Sequence, residues 1–511
     1  MTTMELLGSD LSPANVILGL VVITILVVKI RERMWNPSSL PVYNDRKWYE
    51  FGYGKATGRY LVDPEGLIRS GLEKGDAFYL CTEAHFRLIL SPKYADVIGG
   101  DNRFDLGKFI SEVGIFDYDE KTGATGDFHE GIPGFEPLAN IALESKILQN
   151  TVKTKLSRQT PKLVEPLSTE TAMALISNWG EQTDPHEVNM RDTMSRIIAQ
   201  MVSRGFLGED DLCRNPTWLQ LLYDFLEDSF IAAHILRRWP LFMRNIASRF
   251  LPSCQKVRSE LQDVIEYLKP LIDKPDSPDT EMTAISWVKD MSKGSAYDFT
   301  TLQLTLALAS LDTSNDLLTK AMCDLSEHPN LVKDIRKEII EIVGKEGLSK
   351  SSLQKLYLLD SAMKESQRLR PLGYSNMERV AKERVVLPDG LIIPKGTAIM
   401  ISACHMMDSS IWPDGDRYDG YRFANLRNAS KNALTSSYQL TSTSADHMGF
   451  GHGKQACPGR HYAVVFGKIL LCHIILKYDF NEGRTKLRGH NILPHADIKI
   501  NIRRRNEEIS L

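Results

Sequence analysis

Apolar and polar positions change their rhythm along the chain. Residues 11–28 are apolar almost throughout, broken only by Ser12, Pro13, Asn15, Gly19 and Thr24, and the run ends at Lys29, Arg31 and Arg33. About 18 such residues are just enough to cross a hydrocarbon layer as a helix. Glu5 and Asp10 precede the run and no small-residue cleavage site follows it. The pattern therefore predicts an uncleaved, single transmembrane helix with a luminal N-terminus and everything after Arg33 in the cytosol. The expected organisation is a membrane anchor over 1–33, a hinge over 34–43 stiffened by Pro37 and Pro41, and one large domain over 44–511.

Beyond the hinge the rhythm is mostly helical. Periodicity of three to four predicts helices over 191–205, 218–235, 297–328, 331–343 and 351–369, with Pro329 and Pro371 as stops. Short apolar runs follow at 385–387, 391–393 and 398–401, separated by Pro388-Asp389-Gly390 and Pro394-Lys395-Gly396. These read as a meander or hairpins. The expected fold class is mainly α with a small β-sheet region.

Composition narrows the function by exclusion. The chain has 511 residues, 42% hydrophobic and 25% charged, which is globular. With 62 basic and 65 acidic side chains the net charge is -3, which offers no footprint for nucleic acid. Its 7 cysteines are scattered without a C-x-x-C pair, so neither a disulfide framework nor a structural zinc site fits.

The segment from Phe450 through Gly451, His452, Gly453, Lys454, Gln455, Ala456, Cys457 and Pro458 to Gly459 carries the chemistry. An apolar helix is expected from Arg460 to Leu476, with Pro458 at its first position, where a missing N–H costs nothing. Cys457 then sits at the positive end of a helix, which favours a thiolate. Gly451 and Gly453 permit backbone conformations closed to other residues and a close approach to something flat. A sheltered thiolate of this kind suits a haem iron as axial ligand. The competing readings are a buried structural cysteine and a phosphate-binding loop. The second fails, because Met448 and Gln455 stand where that motif needs Gly and Ser/Thr.

The spacing Phe450-x-x-Gly453-x-x-x-Cys457-x-Gly459 resembles the haem-binding signature of the cytochrome P450 monooxygenases. Further motifs match in order. Glu365-Ser366-Gln367-Arg368 resembles the family's E-x-x-R helix, and Arg422-Phe423 its later arginine–phenylalanine segment. The resemblance implies that Glu365, Arg368 and Arg422 form a structural ion-pair triad. Ala309-Ser310-Leu311-Asp312-Thr313-Ser314 resembles the oxygen-activation segment, with Asp312 and Thr313 as the proton-relaying acid and alcohol. Such residues are poor in a helix interior, because they compete for backbone hydrogen bonds. Stretches at 206–218, 359–371 and 447–460 look like ascomycete enzymes of secondary metabolism.

The family implies a haem b with Cys457 as proximal ligand and Phe450, Gly451, Gly453 and Gly459 around it. It also implies electrons from NADPH through a separate membrane-bound reductase, placement on the endoplasmic reticulum membrane, and a bulky apolar substrate such as a terpenoid. By family position, residues 109–116, including Phe116, the segment Leu372-Gly373-Tyr374, and Ala309 would face the substrate. Two departures stand out. Gln455 replaces a cation that commonly meets a haem propionate, leaving Arg460, Arg368 and Lys454 as candidates, and Ser310 replaces a glycine beside the oxygen site. Desaturation, rearrangement or dehydration by the same thiolate, or a non-catalytic haem sensor, are the alternatives.

Overall fold

The computed structural model describes residues 40–50, 52–83, 85–111, 131–142, 145–208, 210–237, 239, 241–272, 283–292, 297–430, 433–481 and 498–511. The expected anchor and most of the hinge lie outside them. Among the described residues no helix is long and apolar enough to cross a membrane.

The helices that build and brace the central cavity are α1 (Ala95–Gly100), α2 (Leu106–Ser111), α3 (Ser157–Trp179), α4 (Met190–Leu207), α5 (Pro216–Arg237), α6 (Pro252–Ile272), α7 (Phe299–Ser326), α8 (Pro329–Glu346), α9 (Lys350–Lys355), α10 (Tyr357–Leu369), α11 (Arg422–Ala429) and α12 (Arg460–Lys477). The expected helices at 191–205, 218–235, 297–328 and 331–343 correspond to α4, α5, α7 and α8. Their apolar faces meet in one core: α3 packs on α4 and α12, α4 on α7, and α5 on α6. α7 is buried along most of its length, including Leu302, Leu304, Leu308 and Leu318, and so forms the central rod.

The helix expected over 351–369 is two. α9 opens on Ser349 with a capping box to Ser352, and the chain breaks at Leu356, whose ψ of 81° is not helical. Distant side chains fix this break. Glu338 of α8 accepts the Leu358 and Leu359 N–H groups at 2.8 and 3.1 Å, capping the start of α10. Lys468 of α12 donates to the Leu353 and Leu356 carbonyls at 3.0 and 3.1 Å, satisfying the end of α9. Orphan backbone groups at a helix end need such partners.

The strands are short. β1 (Val42–Tyr43), β2 (Ala77–Thr82), β3 (His85–Leu90), β4 (Phe104–Asp105), β6 (Ser375–Ala381) and β9 (Ala398–Ser402) form a 6-stranded sheet in the order β1-β2-β3-β9-β6-β4. β5 (His186–Asn189), β10 (Tyr478–Asn481) and β11 (Lys499–Arg504) make a 3-stranded sheet. β7 (Val385–Val386) and β8 (Ile392–Ile393) make the expected hairpin, with Gly390 at φ 87° in its turn. The run at 398–401 does not extend that hairpin. It forms β9, parallel to β3 and antiparallel to β6, because all its residues are buried and need partners on both edges.

Candidate active site

The cysteine loop is shaped by backbone hydrogen bonds. The Gly451 N–H donates to the Met448 carbonyl at 2.8 Å, and the Cys457 N–H returns to the Phe450 carbonyl at 2.8 Å. Gly451 and Gly453 take φ of 70° and 77°, the left-handed region that suits glycine. α12 begins at Arg460 with Gly459 as its N-cap, so Pro458 lies just outside the helix, not at its first position. The proline and glycine instead form the turn that presents the sulfur. The N–H groups of Gly459 and Arg460 point at that sulfur and favour its charged form, but burial outweighs them and raises the Cys457 thiol. Coordination to a metal ion would reverse this balance, because a bound thiol is deprotonated outright.

Opposite the loop stands the middle of α7. Between them lies a cavity of ≈ 1620 Å³, with Cys457, Phe450, Gly451 and Gly459 on one wall and Ala309 and Thr313 on another. Leu372 and Gly373 also line it. Tyr374 packs instead against the sheet cluster around Phe78 and Met400. Phe109 is likewise core, 2% exposed and under the Arg87 guanidinium, so it does not face the cavity. Phe116 lies outside the described residues.

The hydroxyls of Ser310 and Thr313 donate to the carbonyls of Leu306 and Ala309, each at 2.9 Å. Their remaining lone pairs can accept from the cavity. Asp312 is not on the cavity wall. Although it keeps exposed surface, burial raises its carboxyl, with Arg191 of α4 and Lys320 opposing that rise. The carboxylate that α7 does place on the wall is Asp316, and nothing in the sequence motif marked it.

Behind the cavity, Glu365 accepts two bonds from Arg368, both 2.8 Å, and one from Arg422 at 3.0 Å. All three are buried. The spare guanidinium donors reach main-chain carbonyls: Arg368 those of Met406 and Gly415, Arg422 those of Pro413 and Asp414. This cluster ties α10 to the segment leading into α11. It also removes Arg368 as a propionate partner.

Arg460 is spent too, on the Thr441 and Cys457 carbonyls, and is off the cavity wall. Gln455 is on the wall, but its amide donates to the Phe104 carbonyl at 2.7 Å and accepts the Leu106 N–H at 2.8 Å. It stitches the loop to β4 and α2. Of the expected cations only Lys454 reaches the cavity. The sequence missed Arg379 of β6, which lines it too. Arg379 is buried and donates to the Glu378 and Gln455 carbonyls, and burial pushes its guanidinium down to about 10 against the pull of Glu378 and Asp105. A buried guanidinium on the wall suits an anionic group in the cavity.

These residues fit an iron porphyrin. The sulfur is on the wall, the glycines clear the approach, and Arg379 with Lys153, Lys382 and Lys454 provides cations for two propionates. When bound, such a group supplies the reductive activation of dioxygen. The chain's part is to hold it, exclude water and place hydroxyls and carboxyls opposite the sulfur.

A mainly helical fold with a glycine-shaped cysteine loop facing the polar turn of a long buried helix defines the cysteinate–haem class of oxidoreductases. The chain belongs to the cytochrome P450 family, whose model matches residues 144–493. It is 37% identical to cytochrome P450 monooxygenase adrA of Penicillium rubens, over 93% of each chain. It is 34% identical to cytochrome P450 monooxygenase esdpI of Penicillium shearii, over 98% of each. With cytochrome P450 monooxygenase pyr3 of Aspergillus fumigatus it shares 36% identity over 93% of this chain and 91% of the relative. Among solved structures, retinoic acid bound cyanobacterial CYP120A1 superposes with a TM-score of 0.64 at 17% identity, covering 91% of this chain and 99% of that one. This last likeness speaks for the fold.

Proposed function

We propose that this monooxygenase holds haem b through Cys457 and inserts one oxygen atom of dioxygen into a C–H bond of a bulky apolar metabolite, a terpenoid or related product of fungal secondary metabolism. The second oxygen atom leaves as water, consuming two electrons and two protons. The observation that carries the reading is the placement of Cys457 across a ≈ 1620 Å³ cavity from Thr313, with apolar Ala309, Leu372 and Phe450 in the same lining. That space takes a porphyrin and a large substrate together. Phe450, Gly451, Gly453 and Gly459 shape the haem's bed, and Asp312 and Thr313 serve proton delivery. Electrons come from NADPH through a separate reductase on the endoplasmic reticulum membrane, to which residues 1–33 anchor the chain.

The test is the optical spectrum of the reduced protein under carbon monoxide, beside Cys457→Ala. A strongly red-shifted Soret band that the variant lacks is the expected result. Well-folded protein without haem, or the same band in the variant, would overturn the assignment.

A further inference from the structure

The cavity face of α7 carries a polar stripe that the acid–alcohol pair does not explain. Ser310, Thr313 and Asp316 line the cavity at intervals of three residues, the spacing that keeps side chains on one face of a helix. Asp312 does not line it. The turn after Thr313 therefore places a carboxyl where the turn before it places a hydroxyl.

Asp316 is held by an unusual partner. Lys320, one turn further on with its side chain 1% exposed, sets its Nζ 2.7 Å from both carboxylate oxygens and donates to the Pro371 carbonyl at 3.3 Å. Beyond it Asp324 pairs with Arg370 at the end of α10. A buried ion pair gives little or no net stability over well-packed apolar side chains. Leu317 and Leu318, beside Asp316, show that this part of the cavity wall accepts leucine. The pair thus asks for a reason other than packing.

A carboxyl facing a cavity where oxygen is reduced has one, since each turnover consumes protons. Thr313 gives its own hydrogen to Ala309, so its oxygen is an acceptor on the same face. The charged groups acting on Asp316 are Lys320 and Asp312 on α7 and Arg191 on α4. Burial raises its carboxyl to about 6 against the pull of Lys320, close to the range where a general acid works at physiological pH.

We propose that Asp316 is a second carboxyl, beside Asp312, that hands protons into the cavity at Thr313, with Lys320 as its positioning residue. The proton leaves the Asp316 carboxyl for an oxygen beside Thr313, and the carboxylate regains one from solvent water, so no further reactant is needed. This rests on the cavity being the oxygen site, as proposed above.

The experiment compares the full-length, haem-loaded wild type with Asp316→Asn, Asp312→Asn, Lys320→Met and Lys320→Arg. In protein labelled with ¹³C at aspartate carboxyls, one resonance absent from Asp316→Asn should titrate near pH 6. Its midpoint should rise by about one unit or more in Lys320→Met, which removes the neighbouring cation, and return towards the wild-type value in Lys320→Arg. Under turnover, Asp316→Asn should release several-fold more peroxide per NADPH and lose the inflection near pH 6, while Asp312→Asn keeps that inflection. Wild-type coupling and pH profile in Asp316→Asn, with the thiolate spectrum intact, would overturn the proposal. So would a wild-type Asp316 resonance that does not titrate between pH 5 and 8 or ignores Lys320→Met, a readout that stands even where a variant loads haem poorly. A wild type without the thiolate spectrum would instead remove the reading on which the proposal rests.

Discussion

Gly453 shows what one residue contributes to the loop. A Cβ there would lie 2.2 Å from the Gly99 carbonyl oxygen of α1, and the backbone sits at φ 77°. Backbone atoms cannot step aside as a flexible side chain can, so Gly453→Ala carries both a steric and a conformational cost. The expected outcome is a haem-to-protein ratio well below wild type and a lowered melting temperature, measured by absorbance and calorimetry. Gly451→Ala is the comparison, because no atom lies within 3.4 Å of its would-be Cβ, and it should lose less. The cysteine loop was legible in the sequence because its parts are contiguous and its spacing is specific. Arg379 was not, since it meets Gln455 from 76 positions away on a strand with no motif of its own. Asp316 was legible in principle. It lies three residues beyond Thr313, as Ser310 lies three before, and that spacing keeps side chains on one face of a helix.

Elements declare themselves when their signals are local. α7 and α8 follow from periodicity and Pro329, which opens α8 just after its N-cap His328. The break between α9 and α10 does not, because Glu338 and Lys468, which satisfy the two facing helix ends, lie on α8 and α12. α3 is disguised by Pro161 and Pro166 inside it. A motif can also mark an element without explaining its role. Glu365 and Arg368, three apart on α10, would be a minor pair on a surface, but here both are fully buried and receive Arg422 as well. Removing one partner of a buried cluster leaves unpaired charge in the interior and costs about 3–5 kcal/mol. Glu365→Gln should therefore lower the unfolding free energy measured in urea by that order and loosen the segment leading into α11. Hydrogen exchange would register this as faster exchange over 413–422 than over α7. Equal stability in the variant would show that the carbonyls around Arg368 and Arg422 suffice.

At the scale of the molecule the same division holds between helical core and sheet. The 6-stranded sheet draws β1 to β4 from residues 42–105 and β6 and β9 from residues 375–402, so its pairing depends on closure of a very long loop. No local pattern could give β3 its parallel neighbour β9. The sheet nonetheless begins at Val42, and its cluster already engages Leu40. The described cores are thus assembled from residue 40 onward. A chain beginning at residue 36 should therefore load haem and show the same carbon monoxide spectrum as the whole protein. Membrane attachment should separate the two. The whole protein should resist carbonate extraction from membranes, as expected of a spanning helix, while the shortened chain moves to the supernatant. Exposed apolar side chains set up the contrary result: Trp48 is 92%, Val62 86% and Phe250 74% exposed. If the shortened chain stays membrane-bound until high salt or detergent, those residues carry attachment at the surface. If the whole protein is released by carbonate, residues 11–28 do not span.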